Sequence, residues 1–272
     1  MTLESLFKRG LGHFLEAPHR VHFYHIILFT HGAGTHSIDF TNYTYDDETL
    51  LLVSGGQVHQ YQVNPANKGI VIVFTPEFLY ENATELNLFH SLQVFEHALF
   101  SPCIRLSVEQ RRPLGNLCQI IQHEYQKPTH ELSAEILRQL LRVMLLQIER
   151  IQQVSETSQR IAPHYQEFVA FRRLVERNLA QSRNVQDYAR QLAFSPKKLN
   201  ELTRQVLNKT AKEFIDEQVI LESQRLLAQG NVPVKEVAYQ LGFSDPANLV
   251  KFFKKHTRTS PAAFRSRFHP TP

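Results

Sequence analysis

Residues Val185–Ser195 read VQDYARQLAFS, and residues Val234–Ser244 read VKEVAYQLGFS. Six of the eleven positions are identical: Val, Ala, Gln, Leu, Phe and Ser. With one extra residue in the second copy the correspondence continues. Leu199 aligns with Leu249, Leu202 with Phe252, Arg204 with Lys254, Thr210 with Ser260 and Phe214 with Phe264. Each copy has the pattern of a helix-turn-helix. A short helix carries a small residue at its centre, Ala189 or Ala238, where a second helix must approach closely. Leu192 or Leu241 and Phe194 or Phe243 supply the shared core. A tight turn follows, and Gly242 gives it backbone freedom in the second copy. Ser195 and Ser244 are placed to cap the second helix, and Pro196 suits a first helical position because its missing N–H costs nothing there.

The second helices are amphipathic and basic on their outer side, with Lys197, Lys198 and Arg204 in one and Lys251, Lys254 and Lys255 in the other. A generic helical bundle has no need of a duplicated cap, a duplicated small residue and two basic outer faces. The motifs are expected at about 185–207 and 234–256. Between them, Ala211–Gln229 has no Gly or Pro and is apolar at Phe214, Ile215, Val219, Leu221, Leu226 and Leu227. It reads as one helix of about 18 residues, roughly 27 Å long, which ends at Gly230-Asn231 with Pro233 beyond. A rigid spacer of that length can hold two recognition helices about one DNA turn, roughly 34 Å, apart.

The charge distribution agrees. Residues 1–164 contain 12 Lys+Arg and 16 Asp+Glu, a net of −4, whereas residues 165–272 contain 18 and 10, a net of +8. A basic third joined to an acidic remainder indicates a polyanion-binding domain attached to a domain with another task. The chain has 272 residues, 42% hydrophobic and 21% charged, which suits one or two globular domains and excludes a disordered protein. Two cysteines, Cys103 and Cys118, exclude a disulfide framework and suggest a reducing, cytoplasmic setting. The N-terminus shows no basic stretch followed by an apolar run, and no apolar stretch reaches the roughly 18–20 residues of a membrane span. No membrane partner is expected.

The N-terminal part reads differently. His22–Thr30 (HFYHIILFT), Thr35–Phe40, Leu50–Ser54, Gln57–Val63 and Gly69–Thr75 are short β-type runs. His31-Gly32-Ala33-Gly34, Gly55-Gly56 and Asn64-Pro65-Ala66-Asn67 separate them, which suggests a sandwich or small barrel. Val108–Tyr125 and Glu131–Gln153 follow as helices. The second carries a wide apolar stripe of Leu137, Leu140, Leu141, Met144, Leu145, Ile148 and Ile151, suited to its own domain or to a share in a homodimer interface. Val154–His164 is polar and contains Pro163, and the charge changes sign there, so it reads as a linker. The expected organisation is α+β: a cupin-like β-barrel with flanking helices for sensing and dimerisation at 1–153, the linker at 154–164, and an all-α domain with two helix-turn-helix motifs joined by a long helix at 165–272.

The last 105 or so residues resemble the DNA-binding domain of the AraC/XylS family of bacterial transcription regulators. The likeness is strongest over Val234–Arg265, VKEVAYQLGFSDPANLVKFFKKHTRTSPAAFR. Gly242, Phe243, Ser244, Phe252, Phe253, Lys254, Pro261, Phe264 and Arg265 fit the family's signature, while Thr203 stands where the first copy usually has an aromatic. Gly34–Phe40 and Gly55–His59 resemble the cupin-type sensor domain of members that respond to small aromatic acids such as 4-hydroxybenzoate. The resemblance implies a DNA-binding activator that works with RNA polymerase. It places Lys197, Asn200, Glu201 and Arg204 of the first copy, and Ala247, Asn248 and Lys251 of the second, at base edges. Asn pairs bidentately with adenine, Arg or Lys with guanine, and Glu accepts from cytosine. Lys198, Lys254 and Lys255 are expected at phosphates, which position without specifying.

Nine of the 14 histidines lie between His13 and His97. His22 and His25 are three apart and face opposite sides of a strand, which argues against a metal-holding cupin. No metal or cofactor is expected. His25, His36, His59 and Tyr61 are the candidate lining of a pocket for a small-molecule effector, an organic acid. No phosphate loop, nucleophile elbow or zinc spacing occurs, so the chain is not expected to be an enzyme. Two alternatives stand beside the ligand-responsive regulator: a regulator without a small-molecule ligand, and a metal-dependent cupin enzyme fused to a DNA-binding module.

Overall fold

A computed structural model describes residues 1–8, 15–80, 93–99, 101–127, 130–154, 164–230 and 232–269. The chain divides into two compact units, Met1–Ser155 and Glu156–Pro272. The expected linker falls almost wholly on 155–163, outside the described residues.

The first unit begins with α1 (Leu3–Lys8) and continues through β1 (His19–Arg20), β2 (Tyr24–His31), β3 (Gly34–Ile38), β4 (Thr41–Tyr45), β5 (Thr49–Val53), β6 (Val58–Tyr61), β7 (Lys68–Phe74), α2 (Val94–Ala98), β8 (Cys103–Arg105), α3 (Val108–Gln126) and α4 (Ser133–Val154). The strands form two four-stranded antiparallel sheets, β1-β6-β3-β4 and β7-β2-β5-β8. The unit is thus the expected antiparallel β domain with flanking helices, its strands divided between two sheets.

The near-continuous apolar run of β2 has a direct cause. Its sheet is covered on both faces, so neither side needs polar residues. Ile27, Phe29, Leu51, Val53 and Val71 pack with Val21, Ile38, Tyr45 and Tyr61 of the opposing sheet and its approach. Ile26, Leu28, Leu50 and Leu52 pack with Val94, Leu114, Cys118, Leu141, Met144, Leu145 and Ile148 of the helices. The order of layers is therefore sheet, sheet, helices. Each fully buried Leu or Ile contributes about 1.5–3 kcal/mol of apolar burial.

Phe40 does not extend β3 as expected. Asp39 and Phe40 have φ of 48° and 66° and make the two-residue turn from β3 to β4, the left-handed geometry that suits a hairpin. The Asp39 carboxylate anchors the turn by accepting from the Val58 N–H at 3.0 Å and from Gln57 Nε2 at 2.8 Å.

The second unit contains α5 (Tyr165–Asn178), α6 (Val185–Gln191), α7 (Pro196–Leu207), α8 (Ala211–Ala228), α9 (Val234–Gln240), α10 (Pro246–Thr257) and α11 (Pro261–Arg265). The spacer helix has 18 residues and starts with a capping box, Thr210 with Glu213. The pairs α6–α7 and α9–α10 are the two helix-turn-helix motifs.

Candidate DNA-binding interface and effector pocket

The caps fix where each recognition helix starts. Ser195 Oγ accepts from the Lys198 N–H at 3.1 Å, as expected of a serine cap. Ser244 does not take that role. The extra residue of the second copy moves the helix start onward, and Asp245 Oδ1 accepts from the Ala247 N–H at 2.8 Å. Pro196 and Pro246 then occupy equivalent first positions. The cores differ too. Thr203 is fully buried, its hydroxyl donating to the Leu199 carbonyl at 2.8 Å. The aromatic mass of the first motif comes instead from Phe168 and Phe171 of α5, which pack on Phe214, with Tyr188 against Phe171. In the second motif Phe253 fills the equivalent place and meets Phe264 edge-on at 5.6 Å.

On the outer face of α7, Lys197, Glu201 and Arg204 are exposed. Lys197 and Glu201 stand 3.9 Å apart with both side chains largely in water, an ion pair of little worth that can open on contact with DNA. Asn200, expected at a base edge, is half-buried and makes two hydrogen bonds within the chain. Its Nδ2 donates to the Pro196 carbonyl at 3.0 Å, and its Oδ1 accepts from the Ala211 N–H at 3.0 Å. The Oδ1 end thus ties the recognition helix to the start of α8, while the Nδ2 end bonds back within its own helix. Lys198 pairs with Glu167 at 2.8 Å and lies 3.9 Å from the Phe194 ring centre. On α10, Ala247, Asn248, Lys251, Lys254 and Lys255 are all exposed. Val250, which the sequence reading passed over, is 37% exposed on the same helix. An apolar residue left uncovered on an otherwise polar face was the available signal.

In the first unit, alternation brings the candidate pocket residues to one place. His25 on β2, His36 on β3, and His59 and Tyr61 on β6 share the strand faces of Ile27, Ile38 and Val53, between the two sheets. His36 and His59 are joined by a hydrogen bond, Nε2 to Nδ1, of 3.1 Å. The His25 and His59 ring centres are 4.8 Å apart, those of His36 and Tyr61 4.5 Å, and His19 lies 4.4 Å from His59. All four expected residues are buried. Burial pushes His25 down to about 4 and His36 to about 3, each helped by a neighbouring imidazole, and holds His59 well below the usual histidine range. Burial raises the Tyr61 phenol as well. At neutral pH these groups are uncharged. Among the described residues, five of their atoms have no hydrogen-bond partner: both nitrogens of His25, Nδ1 of His36, Nε2 of His59 and the Tyr61 hydroxyl. Unsatisfied buried polar atoms are costly. Among the described residues no three His, Cys, Asp or Glu side chains are arranged to hold a metal ion.

Comparison with known proteins agrees with both halves. Residues 3–141 match the family profile described as an AraC-like ligand binding domain, and residues 188–267 match a helix-turn-helix domain. YfiF of Bacillus subtilis strain 168, described as an uncharacterized HTH-type transcriptional regulator, is 22% identical over 260 residues, covering 94% of this chain and 81% of its own. The HTH-type transcriptional activator RhaS of Escherichia coli O1:K1 / APEC is 22% identical over 248 residues, covering 91% and 86%. An apo ToxT variant from Vibrio cholerae strain SCE256 is a structural neighbour with a TM-score of 0.45 and 14% identity, covering 92% and 90%. No helix among the described residues is long and apolar enough to cross a membrane. With a ligand-binding domain over its first half and a helix-turn-helix domain over its last third, the chain belongs to the AraC family and is a DNA-binding transcriptional regulator.

Proposed function

We propose that the protein is a cytoplasmic activator, without catalytic activity, that binds double-stranded DNA in response to a small organic acid. RhaS, similar over nearly the whole chain, is described as an activator, which supports that sign of regulation and RNA polymerase as a partner. Lys197, Glu201 and Arg204 of α7 and Ala247, Asn248 and Lys251 of α10 read base edges. Val250 adds an apolar contact suited to a thymine methyl. Lys254 and Lys255 meet phosphates, as does Lys198 once it leaves Glu167. Asn200 acts as a positioning residue.

The observation that carries the effector reading is the buried cluster of His25, His36, His59 and Tyr61, five of whose atoms have no hydrogen-bond partner among the described residues. Neutral imidazole N–H and phenol O–H groups donate to a carboxylate, and the surrounding rings suit an aromatic body. The 1–153 region forms the sensing and dimerisation domain. The homodimer forms through Glu131–Gln153: Leu132, Ile136, Val143 and Leu146 are exposed on one side of this segment, while Leu141, Met144, Leu145 and Ile148 face the core. Ligand binding acts by favouring one dimer arrangement over another, since a ligand shifts only an equilibrium between states it binds unequally.

Calorimetry with benzoate and 4-hydroxybenzoate tests the pocket on the wild type, His36→Ala and His59→Ala. Binding that weakens in both variants supports it. Equal binding in all three proteins would exclude these histidines, and an acid that raises the melting temperature of none would leave a regulator without a ligand. A ligand at 100 times its Kd adds about 2.7 kcal/mol.

A further inference from the structure

The loop that precedes the first helix-turn-helix motif contacts the turn of the second, away from the spacer helix that links the motifs in sequence. Arg183 lies in the loop between α5 and α6. Its guanidinium sits 3.4 Å from the centre of the Phe243 ring, and Nη2 donates to the Leu241 carbonyl at 3.1 Å. Leu241, Gly242 and Phe243 form the turn of the second motif. Gly242 approaches the same loop so closely that a Cβ placed on it would lie 1.9 Å from the Ala180 carbonyl oxygen.

The loop that carries Arg183 is in turn held by the first motif. Ser182 Oγ donates to Asp187 Oδ2 at 2.6 Å, and Tyr188 Oη donates to the Ser182 carbonyl at 2.6 Å. Asp187 and Tyr188 belong to α6. An unbroken series of contacts therefore runs from the first helix of one motif, through the loop, to the turn of the other. The spacer α8 sets a separation along its axis and packs against helices of both motifs, and the Arg183 contacts add a link between the motifs that does not pass through it. A planar guanidinium that stacks on a ring and donates to a carbonyl at once fixes distance and orientation together.

We propose that Arg183 is the positioning residue that sets the angle between the two recognition helices, so that the protein reads its two DNA subsites at a single spacing. This rests on the reading that both helices engage one duplex together. Moving one subsite by one base pair shifts it by about 3.4 Å and rotates it by about 34°, which a rigid pair of helices cannot follow.

The test measures the affinity of the full-length protein, by fluorescence anisotropy, for duplexes whose subsites are moved together or apart by one base pair. The wild type is expected to lose about tenfold or more at each altered spacing, the scale of a mismatched base pair. Arg183→Met is expected to lose no more than about threefold on the same duplexes, because it keeps each motif's base preference but loses the fixed angle. Arg183→Lys, which keeps a charge without the planar fork, is expected between the two, and it decides the matter if the Met variant does not fold. A variant as strict about spacing as the wild type would overturn the proposal, even if it binds every duplex more weakly, because that is the behaviour of a merely structural residue. A wild type indifferent to spacing would instead remove the two-helix reading, and the proposal with it.

Discussion

The two helix-turn-helix motifs solve the same backbone problem with opposite allocations of strain. Each needs a left-handed residue in its turn and another after its recognition helix. The first places Ala193 (φ 55°) in the turn and Asn208 (φ 56°) after the helix; the second places Gly242 (φ 73°) and Arg258 (φ 59°). Glycine and asparagine adopt that conformation readily, whereas a residue such as alanine or arginine costs about 1–2 kcal/mol there. Each motif therefore has one favoured and one strained position, in opposite order. Gly242 has an added reason, because only a hydrogen fits beside Ala180. The turn of the first motif carries no such requirement, since Ala193 holds a Cβ at the matching position.

The largest effects should fall on the second motif. Gly242→Ala meets both a backbone oxygen and a left-handed φ, and it should cost about 3–5 kcal/mol of unfolding free energy. Phe253→Ala should cost a similar amount by opening a cavity, whereas Thr203→Val at the matching position should change stability by less than about 1 kcal/mol. Chemical denaturation of the variants measures all three. Equal losses at Phe253 and Thr203 would mean that the two cores are built alike.

The two asparagines sharpen the comparison. Asn248→Ala should weaken cognate DNA binding by about 1–3 kcal/mol with an unchanged melting temperature. Asn200→Ala should lower stability by about 1–3 kcal/mol, because it leaves the Ala211 N–H without its acceptor, while the base preference stays as it was. Thermal melts paired with a binding titration separate the two roles. The smallest effects are gains. Ala193→Gly should stabilise by about 0.5–1 kcal/mol, the relieved strain less the added chain entropy. Arg258→Asn should give a gain of similar size. Neutral or destabilising outcomes at both positions would show that these turns bear no strain.

The comparison also shows what a sequence can carry. The repeat, the spacer and the outer basic faces were legible because they depend on periodicity and local caps. The one-residue insertion is legible too, but its effect on the cap is not: Ser244 is the counterpart of Ser195 in the repeat, yet Asp245 accepts from the Ala247 N–H. The second commitment of Asn200, to Ala211, is a contact between two helices that no spacing rule encodes. In the sensor unit the strands buried on both faces stood out as apolar runs. The edge strands β4 (TNYTY) and β8 (three residues) did not, being polar or too short to show a period. His25, His36, His59 and Tyr61 could be singled out as polar residues in apolar strands, and alternation predicted that they face inward. Their hydrogen bonding, and the atoms left without partners, depend on the register between β3 and β6.

The central claim is that both motifs read DNA together, each through its own exposed side chains. The most direct measurement is the base-preference profile of the full-length protein, obtained by selection from randomised duplexes, for the wild type, Arg204→Ala and Asn248→Ala. The account predicts that each substitution relaxes preference at one position, and that the two positions lie about one helical turn, roughly 10 base pairs, apart. Profiles unchanged by both substitutions, or relaxed at the same position by both, would contradict it.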